Sequence, residues 1–428
     1  MKSWTKENLM GYILLSPLYL SSFILFKTPF EFYISYVIVV LLLPIFILRF
    51  GIPKALASVI ALLFITGLFG VGDGQNEIAD LLKIWINIGV SALYFYHVFQ
   101  YFKKDIKHLF QLYMNLALLI SVLGIVQVVA FQLGIEQLYT FFGIFNKWGI
   151  SAGGLFGIRM NSIYSEPSYF GSAISPAFFV SILSLSLRKS FFLSTIKSVI
   201  IVIAYLLTFS TVSYLGIFTV AILIIVNFGV FRYLLFALPI LIGGYFYLYN
   251  NVTEFRVRVD GITALVGGQT YSAFDVHGSS FVLFNNYTIT KQNLIENPLF
   301  GSGLGSHQHA YERYSLVKDF GGIYDFNSQD ANSMLLRIAS ETGLTGLLLT
   351  FMFIGFNFCK RNEFQPENYY WIISSACLVI IILQLLRQGN YTYNGFFFFV
   401  WMYFFVREGF TSNQELILNE NTNDAPEK

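Results

Sequence analysis

Charge is what this chain lacks most: Asp, Glu, Lys and Arg make up 12% of 428 residues, against roughly a quarter in a typical soluble domain. So few charges cannot cover a water-exposed surface, which excludes a soluble globular protein. Cysteine is almost missing too. Cys359 and Cys377 both fall in or beside apolar stretches, which excludes a disulfide framework and a cysteine metal knuckle. No basic block of the nucleic-acid-binding kind is present, and the net charge is only +2, so no nucleic-acid partner is expected. Walker A, glycine-rich dinucleotide, HExxH and paired-aspartate nucleotide-sugar motifs are all missing, and with them the usual signatures of nucleotide-dependent and zinc-dependent enzymes. Lys2 and Lys6 precede an apolar stretch with no small-residue cleavage site after it, which reads as a retained first helix rather than a signal peptide.

What the chain has instead is apolar runs. Hydrophobic residues are 56% of the total and aromatics 18%. Runs of this length read as membrane-spanning helices. They cover about 10–26, 32–50, 52–70, 79–102, 109–133, 169–187, 191–209, 212–228, 233–249, 333–358, 369–386 and, shortest, 396–406. The expectation is an all-α integral membrane protein of about 12 spans, with one polytopic domain over residues 1–410. Two long polar loops, 134–168 and 250–332, interrupt it, and a disordered tail, 411–428, follows it.

With the N-terminus placed inside, the inner segments hold Lys2, Lys6, Arg49, Lys54, Lys103, Lys104, Lys107, Arg188, Lys189, Arg232, Lys360, Arg361 and Arg407, while the short outer ones hold only Lys27 and Arg387. The positive-inside rule therefore puts both termini in the cytoplasm and both long loops outside. Long loops are left out of that count because they translocate largely regardless of charge.

The unusual polar residues then fall on the outer face. Arg159 and Ser165-Glu166-Pro167-Ser168 end the first long loop; Ser210, Thr211 and Ser213 sit at a turn; Arg256 and Arg258 open the second long loop and Asp330-Ala331-Asn332 close it; Arg387 to Tyr391 join the last two spans. Arginines gathered at one face suit a phosphate, because guanidinium offers a planar fork that keeps its charge. Ordinary solvated loop charge is the alternative for Arg256 and Arg258. Glu166 precedes a proline at the first turn of a helix, where it reads either as a cap or as a general base.

Asp330, Met334, Arg337 and Glu341 recur at helical spacing. This predicts Glu341 roughly 16 Å below Asp330, with Arg337 and Glu341 pairing at i,i+4. Gly301, Gly303 and Gly305 read as a tight turn more than a phosphate cradle. His307 and His309 read as loop histidines more than metal ligands. Asn251 and Asn286 begin glycosylation sequons.

Taken in order, Arg159 with Ser165-Glu166-Pro167-Ser168, then Asn297-Pro298-Leu299-Phe300-Gly301-Ser302-Gly303-Leu304-Gly305, then Asp330-Ala331-Asn332-Ser333-Met334-Leu335-Leu336 and Glu341-Thr342-Gly343-Leu344-Thr345-Gly346 resemble the Wzy-type O-antigen and exopolysaccharide polymerases, relatives of the O-antigen ligases. The chain departs from ligase-like members at Ala331, where they carry histidine, and at Thr211, where many relatives carry arginine.

The resemblance implies a GT-C-type fold, a polyprenyl-pyrophosphate-linked oligosaccharide donor, and neither metal nor cofactor. It further implies glycosyl transfer on the outer face of the cytoplasmic membrane, with a chain-length regulator and a flippase as partners. Glu166 is then the first candidate base and Asp330 the second. Arg159, Arg256, Arg258 and Arg387 are candidates for the pyrophosphate. Asn332, Tyr391 and Tyr393 are candidates for the glycan, although an interfacial aromatic belt explains the tyrosines equally well. A ligase and a lipid-linked-oligosaccharide flippase are the alternatives.

Overall fold

The computed structural model describes residues 6–26, 32–145, 149–230, 234–251, 256, 259–261, 263, 278–317, 326–362 and 369–423. Within them the regular structure is helical, apart from a two-stranded antiparallel ribbon of β1 (Ile24–Phe26) and β2 (Phe32–Tyr33) and one isolated bridge, Ala152–Ile158. Seven helices are long and apolar enough to cross a membrane: α3 (Lys54–Gly72), α4 (Ile78–Tyr101), α5 (Ile106–Gln132), α7 (Pro167–Ser186), α9 (Thr211–Phe228), α13 (Met334–Asn357) and α14 (Tyr369–Arg387). This is a helical membrane protein. A backbone in hydrocarbon must satisfy its own hydrogen bonds, and helices do so within one segment.

The remaining helices are α1 (Lys6–Leu15), α2 (Ile34–Phe50), the short α6 (Glu136–Tyr139), α8 (Thr195–Leu206), α10 (Leu234–Asn251), α11 (Gly278–Glu296), α12 (His307–Tyr314) and α15 (Phe396–Asn423). Three differ from the sequence expectation. The first apolar run is not one helix: α1 stops at Leu15, a 3-10 turn starting at Ser16 and Pro17 follows, and the rest of the run is turn and ribbon. Pro17 lacks the N–H that a continuing helix needs. The run at 191–209 narrows to α8, because its first residues form the turn that packs Phe192 on Phe110. The last run, the shortest by hydropathy, belongs to a helix that continues as far as Asn423, into the stretch expected to be disordered. Residues 415–420 of that stretch hold Glu and Leu, both good helix formers.

α7 and α14 form the centre. They pack against each other and both pack on α9; α7 also holds α8, and α14 holds α15 and α13. Most of each central helix is buried by protein, whereas α3 exposes Val59, Leu62, Ile65 and Phe69 along its length. Apolar side chains on that outer face need no partner where the solvent is lipid.

The connections separate into two ends. At one end Lys104 pairs with Glu408 at 2.7 Å, the Lys107 ammonium lies 5.5 Å from the Tyr369 ring, and the Arg361 guanidinium lies 4.4 Å from the Phe228 ring. At the other end Tyr164 Oη donates to the Leu18 carbonyl, Met160 N to the Leu207 carbonyl, and Asn76 Nδ2 to the Leu304 carbonyl. The basic connections and the unusual polar segments therefore occupy opposite ends, as an alternating up-and-down chain requires.

The second long polar stretch holds structure of its own, α11 and α12, and a segment between them that enters a break in α13. Gly343 interrupts that helix with φ 64 and ψ −158. The carbonyls of Ser340 and Glu341 accept from Ser302 N (3.1 Å) and Gly303 N (3.0 Å), while Leu344 N and Thr345 N donate to the carbonyls of Pro298 and Leu299 at 2.9 and 3.0 Å. Four of the backbone groups at the break are thus re-paired by this segment, as non-helical backbone inside a membrane protein requires.

The glycines make this approach possible. A Cβ on Gly301 would lie 2.5 Å from the Glu341 carbonyl carbon and 2.6 Å from Thr342 N, and Gly301 has φ +65. Gly303 and Gly305 face the backbones of Gly67, Gly70 and Asp80 in the same way. The alternating glycines are a packing device, not a phosphate loop. Gly301→Ala is expected to remove most of the monodisperse protein from gel filtration, while Leu299→Ala, at an exposed side chain of the same segment, leaves the yield near wild type. A normal Gly301→Ala profile would mean that this segment is not wedged into the helix.

Candidate active site

The polar end is built around the start of α7. Glu166 is the residue before the helix, with extended backbone (φ −134, ψ 152), and Pro167 occupies the first helical position. Its carbonyl starts the helix by accepting from Phe170 N at 3.2 Å. Its carboxylate, however, caps no backbone N–H. Oε2 instead accepts from Ser168 Oγ at 2.7 Å, and Oε1 takes no hydrogen bond from the described residues. A half-buried carboxylate stands at the positive end of a helix dipole with one oxygen open. The contrast is with Ser210, which does cap α9: its Oγ accepts from Ser213 N at 3.0 Å and shares a buried cluster with Ser213 and Thr208. Ser210 and Ser213 are structural, and Thr211 is exposed at the first turn.

The loop before Glu166 is tied down by α5. Gln127 Nε2 donates to Asn161 Oδ1 at 2.7 Å, and Gln127 Oε1 accepts from Ser162 N at 2.9 Å. Ser165 N donates to Ser22 Oγ at 2.8 Å. Arg159 stands at the mouth of a small turn closed by the Ala152–Ile158 bridge, with its own N on the Ser151 carbonyl at 2.8 Å. Its aliphatic stem passes Gly153.

The Arg387–Tyr393 connection closes over the same point. Gln388 Nε2 donates to the Ser168 carbonyl at 3.3 Å, which sets Arg387, at the end of α14, beside the start of α7. Tyr393 lies on the Tyr169 ring at 4.2 Å. Burial pushes its pKa up, against the smaller opposite effect of Ser165, Ser21 and Ser22, so its hydroxyl stays protonated. Glu166, Asp330 and Tyr393 all act electrostatically on Tyr169. The fold therefore brings both candidate carboxylates within electrostatic reach of Tyr169, although more than 160 residues separate them in the chain.

Asp330 itself does not begin a helix. It sits in a turn where Asn327, Ala331 and Asn332 adopt φ of 58, 57 and 53, and the helix starts only at Met334. The expected descent of one continuous helix from Asp330 to Glu341 is corrected accordingly. Asp330 Oδ1 accepts from Asn332 N at 3.0 Å and Asn327 Nδ2 at 3.1 Å, a local closure typical of aspartate in a turn. Asn332 is engaged through that turn. The Asp330 carbonyl abuts Gly389, where a Cβ has no room.

Beneath this turn lies a buried ion pair. Arg337 Nε donates to Glu341 Oε1 at 2.8 Å, Arg337 Nη1 to the Gly389 carbonyl at 3.1 Å, and Tyr391 Oη to Glu341 Oε2 at 2.9 Å. The guanidinium lies 4.5 Å from the Tyr391 ring centre. Burial first, and Glu341 second, push the Tyr391 pKa up. Tyr391 is therefore part of the protein's own charge network rather than a platform held out to a sugar.

His307 adjoins the pair. Burial, reinforced by the Arg337 charge, pushes its pKa down to about 3. Asn286 Nδ2 donates to the carbonyls of Val282 and Phe326, so its Oδ1 accepts from His307 Nε2 at 3.0 Å. The ring is neutral when folded. Acidification from its ordinary value near 6.5 toward 3 then weakens the fold, because only the unfolded chain takes up the proton. The same bonds bury the Asn286 sequon.

The other candidates lie elsewhere. Arg256 is exposed beyond α10, acting on Tyr249, whose hydroxyl donates to Asp260 at 2.6 Å. Arg258 lies outside the described residues. His309 turns away from His307 toward Asp80, at 3.1 Å. Among the described residues no group of His, Cys, Asp and Glu is arranged to hold a metal ion.

Sequence reasoning missed the Asn293 cluster, in which Nδ2 reaches Ser302 Oγ, the Ser340 carbonyl and Ser340 Oγ within 2.9 Å. Its signal was present as a polar stripe, Asn286, Thr290, Asn293 and Asn297, at helical spacing. No protein-family model matches the chain, and no curated protein matches it.

Proposed function

We propose that the chain is a polysaccharide polymerase of the cytoplasmic membrane, joining polyprenyl-pyrophosphate-linked oligosaccharide repeat units by inverting glycosyl transfer on the outer face. The observation that carries the reading is the start of α7. There a carboxylate not used as a cap acts on Tyr169, as does the charge of Asp330, and Gln388 ties the Arg387 end of α14 to the same helix start.

In this reading an acceptor-sugar hydroxyl attacks the anomeric carbon of the donor. The bond from that carbon to the pyrophosphate oxygen breaks, and the polyprenyl pyrophosphate leaves as an anion. Glu166 takes the hydroxyl proton through its open oxygen. Arg159 and Arg387 neutralise the leaving group, with Arg256 and Arg258 approaching from the second long loop. Asp330 and Asn332 shape the acceptor side, and Tyr169 with Tyr393 forms its aromatic wall.

The twelve-span GT-C-type architecture belongs to the same proposal. Adding α2, α8, α10, α15 and the first apolar run, in which α1 is continued by the turns after Leu15, to the seven long apolar helices gives twelve. The basic end then faces the cytoplasm by the positive-inside rule, with both termini inside and the large second loop outside. Leu155→Cys is expected to react with an impermeant thiol reagent in intact cells, and Lys107→Cys only after lysis. The opposite pattern would invert the membrane and detach the site from its donor leaflet.

A ligase is favoured less, because the position where ligase-like relatives carry histidine holds Ala331, fully buried with φ 57. A flippase could draw on the broken α13, since transporters bind substrates at such breaks. Here loop backbone already pairs four of the groups at the break. The deciding experiment supplies purified protein with lipid-linked repeat units in detergent. Glycans of increasing length are expected, and unchanged repeat units would end the polymerase reading.

A further inference from the structure

Between α7 and α14, one turn below Glu166, lies a buried polar group that the reading above leaves without a role. The Gln388–Ser168 hydrogen bond fixes the register of these two antiparallel helices at their shared end. Gln384 is one turn further in on the same face of α14, and Ser172 one turn further in on α7. Both are fully buried. Among the described residues neither Nε2 nor Oε1 of Gln384 has a hydrogen-bond partner, and neither does Ser172 Oγ nor Gln388 Oε1. A serine hydroxyl can turn back to a carbonyl of its own helix. A glutamine amide orphaned at both atoms has no such escape, and an unpaired amide in an apolar interior is costly.

These atoms match what an internal water needs, which is about two to four polar partners of both kinds. Gln384 Nε2 donates, Gln384 Oε1 and Gln388 Oε1 accept, and Ser172 does either. The geometry points to a small internal water cluster, held by Gln384 and Ser172, that positions Glu166 through Gln388 and Ser168. The relay is short. Water on Oε1 orients the Gln388 amide, Gln388 Nε2 holds the Ser168 carbonyl, and Ser168 Oγ holds Glu166 Oε2 at 2.7 Å. The same cluster steadies the end of α14, where Arg387 stands. Gln384 is thus a positioning residue, and its role rests on the reading of Glu166 as the group that handles the acceptor hydroxyl.

Two measurements on the purified full-length protein test this. Hydroxyl-radical footprinting after brief transfer into heavy-oxygen water distinguishes internal from bulk water. The ring of buried Phe170, two residues from Ser172, adds the hydroxyl radical directly and so takes its oxygen from water; it is expected to acquire light oxygen from retained internal water in the wild type and to lose that labelling in Gln384→Met. Absence of labelling in the wild type overturns the water cluster.

The second measurement is turnover with lipid-linked repeat units. Gln384→Met is expected to lose roughly tenfold to a hundredfold in turnover per folded molecule, while its melting temperature changes little, since the hydrogen bonds lost to water are offset by the apolar group buried in their place. Gln384→Asn is expected to regain most of the turnover, with water filling the missing methylene. A lower melting temperature with normal turnover would make Gln384 merely structural and overturn the positioning role. Glu166→Gln is assayed beside it. Full turnover there removes the Glu166 reading itself, whereas a dead Glu166→Gln with a fully active Gln384→Met removes only the positioning role.

Discussion

Glu341→Gln is expected to destabilise the protein by about 3–5 kcal/mol, the range for removing one member of a buried ion pair. Arg337 and Glu341 show 5% and 0% side-chain exposure, so solvent does little to compensate a lost partner. Both Glu341 oxygens are used, one by Arg337 and one by Tyr391. The substitution leaves a guanidinium with full charge, one remaining carbonyl partner at Gly389 and the Tyr391 ring. Removing the whole network is a different experiment. The combination Arg337→Met, Glu341→Leu and Tyr391→Phe leaves no orphaned charge or hydroxyl, and is expected to recover most of the lost stability, because apolar replacement of a complete buried polar group is often neutral or better. The check is the fraction of monodisperse protein remaining after heating in detergent. A Glu341→Gln variant as heat-resistant as the wild type would show that the pair lies in a wet cavity. A combined variant worse than Glu341→Gln would show that the network organises the Gly389 turn as well as balancing charge.

That pair also marks how far the sequence could be read. The Arg337–Glu341 contact followed from i,i+4 spacing alone, because one helical turn brings such residues together whatever surrounds them. The long spans were legible for an equally local reason: hydrocarbon demands an unbroken apolar helix, and the run itself shows where. Asp330 was misplaced by the same extrapolation. Its helical spacing to Arg337 is real in the sequence, but Asn327, Ala331 and Asn332 around it take left-handed backbone, and the turn they make packs against Gly389. The helix break at Gly343 was hidden for a similar reason. Nothing near it in the chain announces that residues 298–303 supply its missing hydrogen bonds. Glu166 lay between these cases. Sequence placed it correctly at a helix start, but whether its carboxylate capped that helix depended on Ser168, which offers a closer donor.

Glu166→Gln is expected to leave the fold intact and to lower glycosyl transfer by roughly 10²–10⁴-fold, the usual contribution of a general acid–base group. The two roles considered for this residue predict different losses. A capping carboxylate contributes about 0.5–2 kcal/mol to stability, and its removal lowers the amount of folded protein rather than turnover per molecule. The side chain makes no cap hydrogen bond, so little stability depends on it, and the helix start is already secured by Pro167 and the Phe170 N to Glu166 carbonyl bond. Glutamine keeps an acceptor for Ser168 Oγ and nearly the same volume, yet cannot take a proton from an attacking hydroxyl. Glu166→Asp separates charge from reach. It retains the carboxylate but withdraws it by about 1 Å, a displacement that can cost on the order of 10²-fold in a positioned reaction. Its expected turnover therefore lies at or above that of Glu166→Gln and well below wild type. The measurement is polymer formed per folded molecule from lipid-linked repeat units, with folding verified by gel filtration. If Glu166→Gln polymerises at the wild-type rate, the proton must go elsewhere, and Asp330, the other carboxylate whose charge acts on Tyr169, is the next candidate. Asp330→Asn would then carry the loss, although its two hydrogen bonds to Asn327 and Asn332 mean that such a variant must first be shown to keep its turn.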